Sequence, residues 1–137
     1  MSVANARLLR HTWGQRCDVL LFASDLRYGD FDTLDITWKP GEEHLTEKTM
    51  SVFDYVYKHH LNDVDWFLRV DDDTFVVMEN LRHFLFHQNT SEPRFYGHTS
   101  YKFLEQGFPS GGAGYVLSRE ALRRFGSRAS GVYGSDA

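Results

Sequence analysis

Cysteine is nearly absent from this sequence: Cys17 stands alone among 137 residues, which excludes an internal disulfide. It reads as a buried thiol or as half of a bridge whose partner lies elsewhere, and it does not by itself report a redox compartment. Long apolar runs are missing too. No stretch approaches the roughly 18 residues that a membrane-spanning helix requires, and the first residues carry no signal-peptide-like core. Basic charge is scarce and scattered, with 15 Lys and Arg against 19 Asp and Glu and a net charge of −4. Such a chain has no electrostatic footprint for nucleic acid or for an anionic membrane. There is no internal repeat and no low-complexity segment. Neither a Gly-x-x-x-x-Gly-Lys phosphate loop nor a dinucleotide fingerprint occurs.

What is present is enough for a core. Hydrophobic residues make up 42% and aromatic residues 15%, which suits one domain over residues 1–137. Val3 to Trp13 has helical spacing and stops at Gly14, a plausible C-cap. Asp18 to Ala23 is a continuous apolar run, expected as a strand covered on both faces. Thr33 to Trp38 alternates like a half-exposed strand, and Pro40-Gly41 breaks the chain. Thr46 to His60 carries one apolar helical stripe, and Glu79 to Gln88 a second. Arg94 to Gly97 and Val116-Leu117 read as short strands, and Ser118 as the N-cap of a helix from Arg119 to Phe125. Strands alternating with helices predict an α/β sheet with crossover helices.

The most informative stretch runs from Trp66 to Val77. An aromatic, apolar strand empties into Asp71-Asp72-Asp73 and resumes as the β-branched run Thr74 to Val77. Adjacent carboxylates repel, and burying them unpaired costs several kcal/mol each, so a cation is expected at the strand end. A divalent metal holding a phosphate ligand answers this: Mg²⁺ or Mn²⁺ takes one or two protein carboxylates and completes its shell with water and phosphate. A calcium EF-hand is excluded, because its sixth and twelfth positions would fall on Val76 and Arg82. A phosphatase-type Asp-x-Asp-x-Thr is excluded because Thr74 comes one place early. The bland alternative is a solvated acidic turn between two strands.

Other features carry two readings each. Ser110-Gly111-Gly112-Ala113-Gly114 either packs tightly or brings backbone N–H groups against a ligand. His59 and His60 are adjacent on a helix, face different ways and cannot share a metal. Asn89-Thr90-Ser91 is an N-glycosylation sequon in a polar loop, relevant if the chain enters the secretory pathway.

Taken together, His44-Leu45-Thr46-x-Lys48-Thr49, Asp65 to Leu68 running into Asp71-Asp72-Asp73-Thr74-Phe75, Glu79 to Arg82, and Ser110 to Ser118 resemble the core 1 β1,3-galactosyltransferases of glycosyltransferase family 31. The likeness runs from about Arg10 to about Phe125. It implies an α/β nucleotide-sugar-binding fold of the GT-A type, a Rossmann-like mixed sheet flanked by helices. It implies inverting transfer of galactose from UDP-galactose to O3 of GalNAc on a Ser- or Thr-linked glycoprotein acceptor, with Mn²⁺ as cofactor. By the same likeness Asp71 and Asp73 match the metal-binding positions, and Asp72 lies nearer the donor sugar or ribose. Lys48 offsets phosphate charge or is a solvated helix lysine. Gly111 and Gly112 admit donor or acceptor, with Tyr101 and Phe108 as wall residues.

The resemblance also implies a Golgi location with a luminal catalytic domain, as in type II membrane proteins anchored ahead of that domain. It is compatible with a homodimer. Against that pattern the sequence reads as a partial catalytic domain, incomplete at both ends. The family's general base and a later metal-binding His match positions downstream of Ala137, so the catalytic residue is unassigned and Asp136 is the one acid near the end. Two alternatives stand beside the galactosyltransferase. One is a non-catalytic relative that binds sugar or assists folding, against which the intact triad argues. The other is a family 31 transferase with a different donor sugar.

Overall fold

A computed structural model describes residues 2–24, 31, 33–34, 45–102 and 104–132. In chain order the elements are α1 (Val3–His11), a 3-10 turn (Trp13–Arg16), α2 (Leu45–His60), β1 (Trp66–Arg69), α3 (Met78–Phe86), β2 (Phe95–Gly97), β3 (Thr99–Ser100), β4 (Phe108–Pro109), β5 (Tyr115–Ser118) and α4 (Arg119–Val132). Among the described residues no helix is long and apolar enough to cross a membrane.

The three longer strands form one antiparallel sheet in the order β1-β5-β2, and β3 pairs with β4 as a separate hairpin. Trp66 lies opposite Ser118 and Arg69 opposite Tyr115, while Tyr96 of β2 lies opposite Val116. Side chains alternate across a strand, so Phe67, Arg69, Tyr115, Leu117 and Phe95 share one face. Trp66, Leu68, Val116, Ser118 and Tyr96 share the other. Helices cover both. On the first face Phe53 of α2 packs 6.1 Å from Tyr115 and 5.4 Å from Phe125 of α4. On the second, Phe84 of α3 meets Tyr96 edge-on at 5.0 Å, and Leu68 and Val70 pack on a cluster of Ala6, Leu9, Trp13 and Met78.

The mixture of helices and strands matches the expected α/β class, but the strand directions differ from the crossover pattern. The ladders are antiparallel because β5 reaches β1 by way of a hairpin and a glycine turn. Among the described residues the parallel pairing is the isolated bridge Phe22 to Thr33, which is what forms where Asp18 to Ala23 reads as a strand. That segment lines a cavity of ≈ 1020 Å³ along β1, and among the described residues its pairing is limited to that bridge and the Leu34 amide donating to the Phe22 carbonyl at 2.8 Å. Among the described residues Thr74 to Val77 joins no strand either, because the chain is tied down at Thr74 and swings directly into α3. Residues 35–38 and the Pro40-Gly41 break lie outside the described residues. Helix α1 ends at His11 with Thr12, not Gly14, as its C-cap, and the Thr12 hydroxyl donates to the Leu8 carbonyl at 2.7 Å. Helix α4 runs on past Phe125 to Val132.

One buried hydroxyl joins sheet, helix and loop. Ser118 is fully buried, and its Oγ accepts from the amides of Ala121 at 3.2 Å and Arg94 at 2.9 Å while donating to the Glu92 carbonyl at 2.6 Å. It is therefore the N-cap of α4, as the sequence suggests, and also the anchor of β2. Ser118→Ala removes a cap worth about 1 kcal/mol and strands backbone groups at about 1–3 kcal/mol each. The expected loss is about 3 kcal/mol or more in a denaturant titration. A loss below about 0.5 kcal/mol would mean that water replaces the hydroxyl.

Candidate functional site

The site follows from the register of β1 on β5. Because Arg69 pairs with Tyr115, the turn leaving β1 and the glycine turn entering β5 emerge side by side. The first turn is closed by the Thr74 amide donating to the Asp71 carbonyl at 3.2 Å, and the second by the Gly114 amide donating to the Gly111 carbonyl at 3.0 Å. Gly114 sits at φ 78°, a left-handed conformation that side chains rarely adopt, and a Cβ there would come within 2.8 Å of Val70.

Two side chains fasten the turns together. Arg69 Nη1 donates to the Gly111 carbonyl at 2.9 Å and reaches Asp71 Oδ1 at 2.8 Å, with its guanidinium 5.9 Å above the Tyr115 ring. A Cβ on residue 111 would fall 2.8 Å from that nitrogen, so Gly111 is what admits the arginine. Gly112 is looser, since the nearest atom to a Cβ there is Asp71 Oδ2 at 3.8 Å. Thr74 Oγ1 donates to the Gly112 carbonyl at 2.9 Å, and the Thr74 carbonyl accepts from the Trp13 indole at 3.2 Å. The acidic turn is thus pinned to the core on one side and to the glycine turn on the other.

The three carboxylates are treated differently. Asp71 is paired with Arg69, leaving its Oδ2 toward the glycine turn. Asp72 turns to the start of α1, where Oδ2 accepts from the Ser2 amide at 2.8 Å and from Asn5 Nδ2 at 3.3 Å. Partial burial pushes the Asp72 carboxyl up, but these hydrogen bonds outweigh it and hold the pKa below the ordinary value. Asp73 is exposed on the turn. Lys48, on the first turns of α2, lines the same cavity as Asp71 and Asp72. At ≈ 1020 Å³ that cavity matches the upper end of ligand clefts, about 300–1,000 Å³. Tyr101 and Phe108 lie on the β3–β4 hairpin segment that leads into the glycine turn, Tyr101 exposed and Phe108 half-buried.

Among the described residues no group of three or more His, Cys, Asp and Glu side chains closes a metal shell. The donors that are present fit an open site: Asp71 and Asp73 supply hard carboxylate oxygens at one turn, and Mg²⁺ or Mn²⁺ sites complete such a pair with water and phosphate. Cys17 is a half-buried free thiol whose pKa is raised by burial, the opposite of what a reactive or ligating thiol needs.

The Fringe-like family model matches residues 6–134. The chain belongs to the Fringe-like family. It is 41% identical over 117 residues to the glycoprotein-N-acetylgalactosamine 3-beta-galactosyltransferase 1 of Xenopus laevis, which covers 85% of this chain and 32% of that protein. It is 29% identical to the mouse beta-1,3-glucosyltransferase over 133 residues, 95% of this chain and 27% of that one. Human chondroitin sulfate synthase 3 is 33% identical over 88 residues, 57% of this chain and 10% of that protein. The Fringe-like chain therefore spans less than a third of the length of these relatives, the first two of which are glycosyltransferases by name.

Arg69 and Thr74 fasten the two turns together, a role that their place in the motif does not reveal. A signal for Arg69 exists in the alternation of β1, which puts it on the same face as the Tyr115 it pairs with. Arg69→Gln is expected to release Gly111 and Asp71 together. After discounting for partial exposure the cost is about 1 kcal/mol, or about fivefold faster amide exchange across residues 111–114. Arg69→Lys, which also carries several N–H bonds on one nitrogen, is expected to keep most of the protection. Equal acceleration in both variants would show that side-chain shape, not the cation, holds the turns.

Proposed function

We propose that this chain forms part of the catalytic domain of an inverting β1,3-galactosyltransferase with a GT-A-type fold, working in the Golgi lumen. The donor is UDP-galactose and the acceptor hydroxyl is O3 of GalNAc on a Ser- or Thr-linked glycoprotein. The observation that carries this reading is the acidic turn Asp71–Asp73 fastened to the Gly111–Gly112 turn, with Asp71 and Asp72 lining the β1 cavity. The likeness to the Xenopus galactosyltransferase over 85% of the chain supports the choice of sugar.

In this reading Asp71 and Asp73 hold Mn²⁺. When bound, that ion supplies Lewis-acid stabilisation of the negative charge that grows on the departing UDP. The chain's own residues do the rest of the positioning. Lys48 faces the cavity and offsets phosphate charge from the α2 side. Arg69 keeps Asp71 and the glycine turn in fixed relation, so that carboxylate and backbone present one surface to the donor. Gly112, where a Cβ would meet Asp71 Oδ2 at 3.8 Å, lets donor or acceptor approach the backbone beside that carboxylate. Asp72, held by α1, sets the tilt of the turn.

A different donor is the second reading, favoured by the match to a beta-1,3-glucosyltransferase over 95% of the chain. Incubating a full catalytic domain that contains this chain with UDP-galactose or UDP-glucose, Mn²⁺ and a GalNAc-serine glycopeptide, followed by mass and linkage analysis of the product, separates the two, whereas residues 1–137 alone are expected to transfer neither. Transfer from UDP-glucose alone would sink the galactosyl assignment. Removal of one carboxylate tests the metal. Loss of an outer partner of a metal ligand typically costs about 10–100-fold in affinity, so Asp73→Asn should cost at least about 10-fold in Mn²⁺-dependent UDP binding by calorimetry. Unchanged affinity for UDP and Mn²⁺ would remove Asp73 from the site.

A further inference from the structure

The sequon lies on a loop that the fold holds open to solvent. Helix α3 ends at Phe86, the Gln88 amide caps back onto the Leu85 carbonyl at 2.9 Å, and the chain turns at Asn89. Asn89 is exposed, its Oδ1 accepts from the Ser91 amide at 2.9 Å, and its Nδ2 touches the surface carboxylate of Glu92 at 3.2 Å. The loop is braced from behind: the Thr90 carbonyl accepts from the Glu120 amide at 3.2 Å, and Ser118 holds the Glu92 carbonyl. Strand β5 runs from the glycine turn at Tyr115 to Ser118, so the sequon is at the end of that strand opposite the acidic turn. Thr90 and Phe86 line the β1 cavity, while Asn89 itself is exposed on the loop.

Phe86 supplies a second observation. It is 82% exposed, the most exposed large apolar side chain among the described residues, and it precedes Asn89 by three residues. The first sugar of an Asn-linked glycan is rigid at its amide linkage and presents a face of C–H bonds. An exposed aromatic ring at the last residue of α3, three residues before Asn89, is a surface on which such a face can rest.

We propose that Asn89 is an N-glycan acceptor when the chain is in the secretory lumen, and that the first sugar packs its apolar face on Phe86. The step joins Nδ2 of Asn89 to C1 of a sugar carried on a lipid diphosphate. The C1–O bond to the diphosphate breaks, the lipid diphosphate departs, and one amide proton leaves. The Glu92 contact given up is an exposed one that water replaces. This inference rests on the luminal placement in the proposed function, and its test supplies that placement independently.

The test is to express the chain behind a cleavable secretory leader in cells that perform N-glycosylation, beside Asn89→Gln. One step of gel mobility, abolished by glycan removal and absent in Asn89→Gln, is the expected result. A wild-type chain with the mobility of Asn89→Gln overturns the proposal. The ring contact is read from a double-mutant cycle of melting temperatures, glycosylated chain against Asn89→Gln, each with Phe86 or Phe86→Ala. The glycan should raise the melting temperature when Phe86 is present and not when it is alanine. An equal rise in both backgrounds overturns the sugar–ring contact. A chain that takes the glycan but binds no UDP-sugar upholds this inference and counts against the transferase reading, so the two fail separately.

Discussion

The pairing of Arg69 with Tyr115 is the constraint on which the site depends. Side chains in a ladder alternate, so a slip of one residue would turn Arg69 to the opposite face and separate it from Asp71 and Gly111. The register is fixed by what each face buries. Phe67 and Leu117 lie under α2 and α4, Leu68 and Val116 under α1 and α3, and inversion would exchange Arg69 for Leu68 on a packed face. The apolar packing of the sheet is therefore what holds a polar arrangement at its end, rather than the polar groups holding themselves.

The acidic turn also shows how adjacent carboxylates are tolerated without being alike. At 4 Å two charges in water repel by about 1 kcal/mol, a modest load that grows steeply as the dielectric falls. Here each acid meets a different environment. Asp71 has a cation, Asp72 has two N–H donors from α1, and Asp73 has solvent. Dividing the three in this way leaves one carboxylate structurally committed to α1 and two available at the turn for a ligand cation.

Much of this was legible in sequence, and the failures share a cause. Helices α2 and α3 and the Ser118 cap were readable because apolar stripes and cap chemistry are local signals. The acidic turn and glycine turn stood out as motifs. Their adjacency did not, because it comes from a ladder between segments 46 residues apart, Arg69 and Tyr115. Asp18 to Ala23 and Thr74 to Val77 looked like strands by composition, yet a strand is completed only by a neighbour that bonds its backbone, and composition does not reveal the neighbour. Arg69 was invisible as a site residue for the same reason: its role lies in the Gly111 carbonyl, an atom that every residue possesses.

The Arg69–Asp71 pair bears on the proposed metal, since Asp71 already holds one cation. Magnitudes decide it. Asp71 is 42% exposed and Arg69 29%, and ion pairs this solvated are worth about 0–1 kcal/mol. A divalent ion brought in on a diphosphate carries twice the charge and additional oxygen ligands, so it outweighs one partly solvated guanidinium. Arg69 need not leave when that happens. Its hydrogen bond to the Gly111 carbonyl and its seat over Tyr115 do not involve the carboxylate. Were the proposed ion and diphosphate bound, the guanidinium would remain beside the turn, and the nitrogen that holds the Gly111 carbonyl would add a positive charge near them.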